Sequence, residues 1–145
     1  MAKNIAIGVL LLLVVAAAAE RLWKLGEEKV KLCRVTRVID GDTIDVTGWG
    51  NGTTRVRLLN VDTPEIAHTP DEKDQSGGSE AAAYAKKRLA GRLVILQSDG
   101  GRGRYGRLLA YVFTNFNVEL VDRGHSTYYI KFGRSKLYDE EFRKQ

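Results

Sequence analysis

One stretch decides the fold, and it runs Arg55-Val-Arg-Leu-Leu-Asn-Val-Asp-Thr-Pro-Glu65. Its bulky apolar residues predict a β-strand, and Pro64, which has no N–H, predicts the point where that strand stops pairing. Asp62 and Glu65 lie at this strand end, and Arg57 lies a few residues earlier. One short segment therefore carries a guanidinium, a candidate metal ligand and a candidate base, which together suit chemistry on a phosphate ester.

The composition of the chain limits its domain count, its possible partners and its cysteine chemistry. The chain has 145 residues, enough for one domain with a modest core. Lys and Arg number 23 against 18 Asp and Glu, so the net charge is +5, which fits a polyanionic partner without establishing one. Because Cys33 is the only cysteine, an internal disulfide, a cysteine-based zinc site and a thiol redox pair are all excluded.

An uncharged apolar run occupies residues 5–19. As a helix it would be about 22 Å long, against about 30 Å for a hydrocarbon core. It is compatible with a secretory signal cleaved after Ala19, or with an uncleaved anchor extended to Trp23. We favour the anchor, because Arg21 and Lys24 place positive charge just beyond the cleavage site.

The domain boundaries follow from this segment. We assign residues 1–24 to a signal peptide or membrane anchor, 25–31 to a linker and 32–145 to one folded domain. The folded domain is expected to face outward from the cytoplasm, either membrane-anchored or secreted.

Alternating residues and turn signals predict five strands, over residues 31–39, 44–47, 53–61, 93–96 and 108–113. Helices are predicted over 81–90, with Ser79 as its N-cap, and over 118–123, with Asn117 as its N-cap; residues 136–144 also have helical composition. The predicted class is α+β: a five-stranded Greek-key barrel of the OB type with about three helices, preceded by the N-terminal hydrophobic helix.

Two acidic residues, Asp42 and Asp62, lie where predicted strands meet turns. Each alone is an ordinary turn residue. Together they can meet at a hard cation such as Ca²⁺, which takes oxygen ligands at about 2.3–2.6 Å. Glu65 is either a surface turn residue or a carboxylate that takes the proton of an attacking water.

Arg57 and Arg107 have two interpretations. They are solvated surface charges, or they bind phosphate in a bidentate manner and stabilise the negative charge that grows in its transition state. Tyr105 is either a core residue or an aromatic ring that stacks on a base or binds a terminal phosphate.

Three blocks resemble the staphylococcal nuclease family in sequence and order: Val38–Thr43, Val56–Glu65 and Tyr105–Tyr111. The resemblance covers about residues 32–135. It implies an OB-fold barrel and calcium-dependent cleavage of DNA and RNA that leaves 3′-phosphates. A monomer is expected.

The resemblance also implies roles for individual residues. Asp42 and Asp62 would be carboxylate ligands of calcium, and Thr63 would contribute its backbone carbonyl. Glu65 would act on the water, while Arg57 and Arg107 would hold and stabilise the phosphate. The alternative is a noncatalytic OB module that binds nucleic acid or protein and is tethered at the membrane.

Overall fold

The computed structural model describes residues 29–67, 73–98, 100–113 and 115–144. The hydrophobic run at 5–19, and with it the predicted signal or anchor, lies outside these ranges. Among the helices that are described, none has the length and apolar character needed to cross a membrane.

Five strands form the barrel: β1 (Lys29–Val38), β2 (Thr43–Thr47), β3 (Thr53–Leu58), β5 (Leu93–Ser98) and β6 (Leu108–Val112). The barrel is closed, and the strands follow one another around it in the order β1-β2-β3-β6-β5. β1 pairs antiparallel with both β2 and β5, while β3 and β6 run parallel. A parallel pair needs a long crossover, and the chain between β3 and β6 provides it.

The remaining elements lie around the barrel. Two short strands, β4 (Val61–Asp62) and β7 (Thr127–Tyr128), form a separate antiparallel pair. In the described part of the chain the α-helices are α1 (Gly78–Leu89), α2 (Phe116–Asp122) and α3 (Asp139–Arg143). The predicted α+β class and five-stranded OB barrel are therefore confirmed.

Alternating apolar side chains of the strands fill the barrel, and helix residues join the same core. The fully buried members include Val35, Ile44, Val46, Val56, Leu58, Leu96 and Leu108 from the strands, with Ala85, Phe116 and Leu120 from the helices. The core holds the strand ends in register, so the turns between them, which carry the candidate site, have fixed positions.

The first strand starts earlier than predicted. Lys29, Val30 and Lys31 pair with Ser98, Gln97 and Leu96. Residues 29–31 therefore belong to the barrel and not to a linker. The cause is β5, which extends to Ser98 beyond the predicted end at Leu96 and offers these residues a partner.

The third strand ends earlier than predicted, at Leu58 instead of Val61. Asn60 adopts a left-handed conformation with φ of 59°, which interrupts the strand. Its side-chain amide donates hydrogen bonds of 3.0 Å to the carbonyls of Tyr129 and Gly133. This break directs Asp62 into the β4–β7 pair, away from the barrel wall.

Both predicted helix caps are wrong. Gly77 and Asn115, each with positive φ, occupy the N-cap positions of α1 and α2. Ser79 lies inside the first turn of α1. Asn117 lies inside α2, where its buried side chain accepts a hydrogen bond from the Val112 N–H at 3.0 Å and donates one to the Leu59 carbonyl at 2.8 Å.

Candidate functional site

Two carboxylates from separate turns converge on one guanidinium. Nη2 of Arg57 donates to Oδ1 of Asp62 at 2.6 Å, and Nη1 of Arg57 forms a close ion pair with Oδ2 of Asp42. Arg57 lies on β3, Asp42 in the turn before β2 and Asp62 at the end of β4. The fold thus brings together the two acids and the arginine that the sequence analysis singled out.

Asp42 is held in one orientation by its surroundings. Its side chain is only 2% exposed. Oδ1 accepts a hydrogen bond from the Thr43 hydroxyl at 3.1 Å, and Oδ2 accepts one from the Thr63 N–H at 2.9 Å. The Asp42 N–H donates to Oδ1 of Asp40 at 3.0 Å. Asp42 is therefore a preorganised acid, whereas Asp62, with a side chain that is 46% exposed, faces solvent.

Glycine permits the close approach on which this arrangement depends. A Cβ on Gly41 would lie 2.7 Å from the side-chain oxygen of Thr63. Thr63 is itself buried and adjoins Asp62. Because a distance below about 3 Å forces atoms apart, the turn before β2 contacts the end of β4 only when residue 41 lacks a side chain.

A cleft of about 740 Å³ holds the second group of predicted residues. Glu65, Tyr105 and Arg107 line it, together with Thr43, whose hydroxyl contacts Asp42. The two groups are thus neighbours. One consists of Arg57 with the buried Asp42 and the exposed Asp62, and the other consists of Glu65, Tyr105 and the half-buried Arg107 in the cleft.

The backbone of Glu65 is held by hydrogen bonds to Gln75. Its N–H donates to the Gln75 side chain at 3.2 Å, and the Gln75 N–H donates to its carbonyl at 2.9 Å. A Cβ on Gly78 would lie 2.5 Å from that same carbonyl oxygen. The beginning of α1 therefore sets where Glu65 enters the cleft.

Tyr105 is exposed, so its interpretation as a core residue is wrong. The residue is 80% exposed, and its backbone is left-handed with φ of 63°. The guanidinium carbons of Arg104 and Arg107 lie 5.2 and 5.9 Å from the ring centroid, within cation–π range. The Nε of Arg107 donates to the Arg104 carbonyl at 3.3 Å.

The donor set around Asp42 and Asp62 suits a hard cation, because all its candidate ligands are oxygens. Within the ranges that the structure describes, no group of three or more His, Cys, Asp or Glu side chains could hold a metal. A cation here would thus need backbone oxygens, water or substrate to complete its coordination. The residues fit such an ion as a partial site, open to a ligand.

Sequence reasoning missed several supporting residues. Asp40 and Gln75 orient the predicted acids, and the Ser126 hydroxyl accepts a hydrogen bond from the Asp62 N–H at 2.8 Å. The role of Asp40 could have been predicted from the sequence, because an Asp side chain often accepts a hydrogen bond from the backbone N–H two residues later. Gln75 and Ser126 had none, because their partners are distant in sequence.

The fold and site define a class of protein: a small OB barrel with an acid pair beside a cleft that is lined by three arginines and three carboxylates, a combination suited to a phosphate ester. The chain belongs to the family described as staphylococcal nuclease homologue, whose family model matches residues 55–145. The resemblance stated from the three sequence blocks is thereby confirmed.

Relatives with known names agree with this assignment. The chain is 40% identical over 107 residues to endonuclease YhcR of Bacillus subtilis (strain 168), covering 66% of this chain and 9% of that protein. It is 41% identical to the thermonuclease of Staphylococcus intermedius, with 72% and 59% covered, and 37% identical to that of Staphylococcus hyicus, with 77% and 63% covered. The chain thus spans less than two thirds of each of these relatives.

Proposed function

We propose that this chain is a calcium-dependent phosphodiesterase that cleaves DNA and RNA and leaves 3′-phosphates. The observation that carries the proposal is that Asp42 and Asp62 converge on the guanidinium of Arg57. Beside them lies the cleft that is lined by Glu65 and Arg107. Family membership and the names of the relatives support a nuclease.

Glu65 is the residue that acts on water. Its carboxylate takes a proton from the water whose oxygen attacks phosphorus, and the bond from phosphorus to the 5′ oxygen breaks. The 5′ oxygen takes a proton from solvent, to which Glu65 returns the one it accepted, and leaves as a hydroxyl. The phosphate stays on the 3′ oxygen. The hydrogen bonds between the Glu65 backbone and Gln75 keep this carboxylate at the cleft.

Two guanidiniums stabilise the phosphate. With its Nε bound to the Arg104 carbonyl, Arg107 has no further hydrogen bond among the residues that the structure describes, so its two Nη groups can form a fork toward the phosphate. Arg57 is positioned by the two acids. Negative charge increases on the phosphoryl oxygens as water attacks, so these donors lower the energy of the transition state more than that of the ground state.

Asp42, Asp62 and the backbone carbonyl of Thr63 would hold the calcium ion. When bound, the ion would supply Lewis-acid stabilisation of the phosphoryl oxygens. The acids' own contribution is preorganisation: Asp42 is already fixed by Thr43 and the Thr63 N–H.

The test is cleavage of single-stranded DNA by the purified protein with calcium, with EGTA, and with EGTA followed by excess calcium. We expect EGTA to abolish cleavage and calcium to restore it, with product ends that carry a 3′-phosphate. Full cleavage in EGTA would refute the calcium requirement.

A matched pair of variants tests the base. Glu65→Gln keeps the size of the side chain and removes its charge, so we expect cleavage to fall by about 10²–10⁴-fold. Glu140→Gln, an exposed carboxylate in the first turn of α3, is the control. Equal cleavage by the two variants would refute Glu65 as the base. Absence of cleavage by the unmodified chain with calcium would favour the alternative, a noncatalytic binding module.

We further propose that residues 1–24 tether the domain to a membrane, or direct its secretion, so that it faces outward. The support is the uncharged apolar run at 5–19 followed by Arg21 and Lys24. Mass spectrometry of the mature N-terminus distinguishes the two routes: an intact Met1 region in the membrane fraction indicates an anchor, and a start near Glu20 indicates a cleaved signal. An intact N-terminus in the soluble cytoplasmic fraction would refute both.

A further inference from the structure

A row of charged residues crosses three neighbouring strands beside the proposed active site. Arg37 on β1 is the register partner of Asp45 on β2, and Asp45 is the partner of Arg55 on β3. Adjacent strands lie about 4.8 Å apart, so the two arginines are about 10 Å apart at the backbone. All three residues line the same cleft as Glu65 and Arg107.

The one carboxylate in this row, that of Asp45, already has hydrogen-bond donors. Nε and Nη2 of Arg55 donate to Oδ1 and Oδ2 of Asp45 at 2.8 and 3.0 Å. The Asp45 side chain is 10% exposed, whereas that of Arg55 is 50% exposed. The Asp45 carboxylate is therefore mostly buried and paired, whereas the Arg55 guanidinium is half exposed. The cleft also contains the carboxylates of Asp40 and Glu65.

A cross-strand ion pair accounts for Asp45 and Arg55, but not for Arg37. Arg37 is exposed, and within the described part of the chain its side chain makes no hydrogen bond or ion pair. Arg37 also lines a cleft beside a second arginine, Arg55. Its guanidinium is therefore in a position to bind an external anion. The exposed Thr53 lines the same cleft and adds a hydroxyl group.

We propose that Arg37 and Arg55 form a second phosphate-binding subsite, which holds a phosphate of the substrate strand other than the one cleaved. This inference rests on the proposed function for the nature of the ligand. It adds to the substrate requirement a second phosphate besides the one cleaved, which a dinucleoside monophosphate does not have.

The test measures binding, so that it does not depend on catalysis. Fluorescence anisotropy in EGTA gives the Kd of a labelled single-stranded 12-mer at several salt concentrations for the full chain and for Arg37→Ala, Arg37→Lys and Arg92→Ala. Arg92 is an exposed arginine that is not among the cleft residues and serves as the matched control. Melting temperatures are recorded for each variant.

We expect Arg37→Ala to raise the Kd about three- to tenfold and to lower the salt slope by about 0.7, the value for one phosphate contact on a single strand. Arg37→Lys should keep the slope, and Arg92→Ala should change neither quantity. The melting temperature of Arg37→Ala should stay unchanged.

Failure of this subsite is distinguishable from failure of the proposed function. If the chain cleaves DNA but Arg37→Ala binds the 12-mer with unchanged Kd and slope, the subsite is refuted and the nuclease stands. If the chain binds with the expected Arg37 dependence but does not cleave, the subsite stands and the nuclease is refuted. Equal losses in Arg37→Lys and Arg37→Ala would also refute the subsite, because its contact depends on charge.

Discussion

The backbone N–H of Thr63 donates a hydrogen bond of 2.9 Å to Oδ2 of Asp42, across 21 residues of sequence. This bond joins the turn before β2 to the end of β4. Because Asp62 directly precedes Thr63, the same bond sets the separation of the two acids that flank Arg57. The geometry of the proposed site is thus a property of backbone packing as much as of the acids themselves.

Gly41→Ala tests that dependence. The new methyl group would lie 2.7 Å from the Thr63 side chain, so Thr63 must move relative to Asp42. We expect turnover to fall at least about tenfold, because a displacement of about 1 Å in a catalytic site can cost about 100-fold. Gly50→Ala is the control, since a Cβ there meets nothing within 4 Å. Equal turnover of the two variants would show that the contact is not needed.

Arg107→Ala removes a guanidinium from the cleft. We expect a loss of about 2.7–4 kcal/mol of transition-state stabilisation, or about 10²–10³ in kcat. The melting temperature should stay unchanged, because among the residues described the side chain makes one hydrogen bond, to the Arg104 carbonyl, and a cation–π contact with the exposed Tyr105. Steady-state kinetics on single-stranded DNA measure the effect, with Arg92→Ala as control. A loss below about tenfold would identify Arg107 as a surface charge.

Arg57→Ala should lower both turnover and stability. It removes the partner of Asp42, which is buried, as well as a proposed phosphate ligand. Removing one partner of a buried ion pair costs about 3–5 kcal/mol, so we expect the free energy of unfolding in urea to fall by about that amount. An unchanged free energy of unfolding would contradict the ion pair as the structure has it.

Asn117→Ala tests the buried amide that replaces the predicted cap. Its loss leaves the Val112 N–H and the Leu59 carbonyl without their partner. Each buried unsatisfied group costs about 1–3 kcal/mol, so we expect a loss of about 2–4 kcal/mol in the free energy of unfolding. Asn51→Ala, in an exposed loop, should change it by less than about 0.5 kcal/mol. A loss in Asn117→Ala as small as in the control would indicate that water replaces the amide.

The ion pair of Glu119 and Arg88 makes the free energy of unfolding depend on pH in the acidic range. Arg88 donates to both carboxylate oxygens of Glu119 at 2.8 and 2.9 Å, and together with Tyr84 it lowers the pKa of Glu119. A lowered pKa contributes stability that is present above the unfolded value of about 4.3 and is lost as the pH falls through the folded value. Glu119→Gln should therefore destabilise at pH 7 and should flatten the decline in stability below about pH 4.3. Urea unfolding at pH 7 and at several acidic pH values measures this, and an unchanged decline would refute it.

Particular residues show where prediction from sequence succeeded. The barrel and the positions of the site residues were predicted from three local signals. These are the apolar alternation of Val56 and Leu58, the Asp-Gly turn at Asp40 and Gly41, and the block Tyr105–Tyr111 that contains Arg107. These signals are local, since strand periodicity and turn chemistry act over a few residues.

Other residues show where it failed. Asn117 and Ser79 have the chemistry of N-caps, but neighbouring left-handed residues, Asn115 and Gly77, took those positions instead. Lys29 had no strand signal of its own and joined the barrel because Ser98 was available as a partner. In each case a contact elsewhere in the fold outweighed local preference.

The sequence by itself determined the barrel class, the family and the set of acids and arginines, because these depend on residue type and on spacing along the chain. Only the tertiary structure decided that Asp42 is buried and fixed while Asp62 is half exposed, that Arg57 lies between them, and that Arg37 and Arg55 share the cleft with Glu65. The physical reason is that strand pairing and barrel closure join residues tens of positions apart, and their burial and charge environment depend on which neighbours that closure supplies.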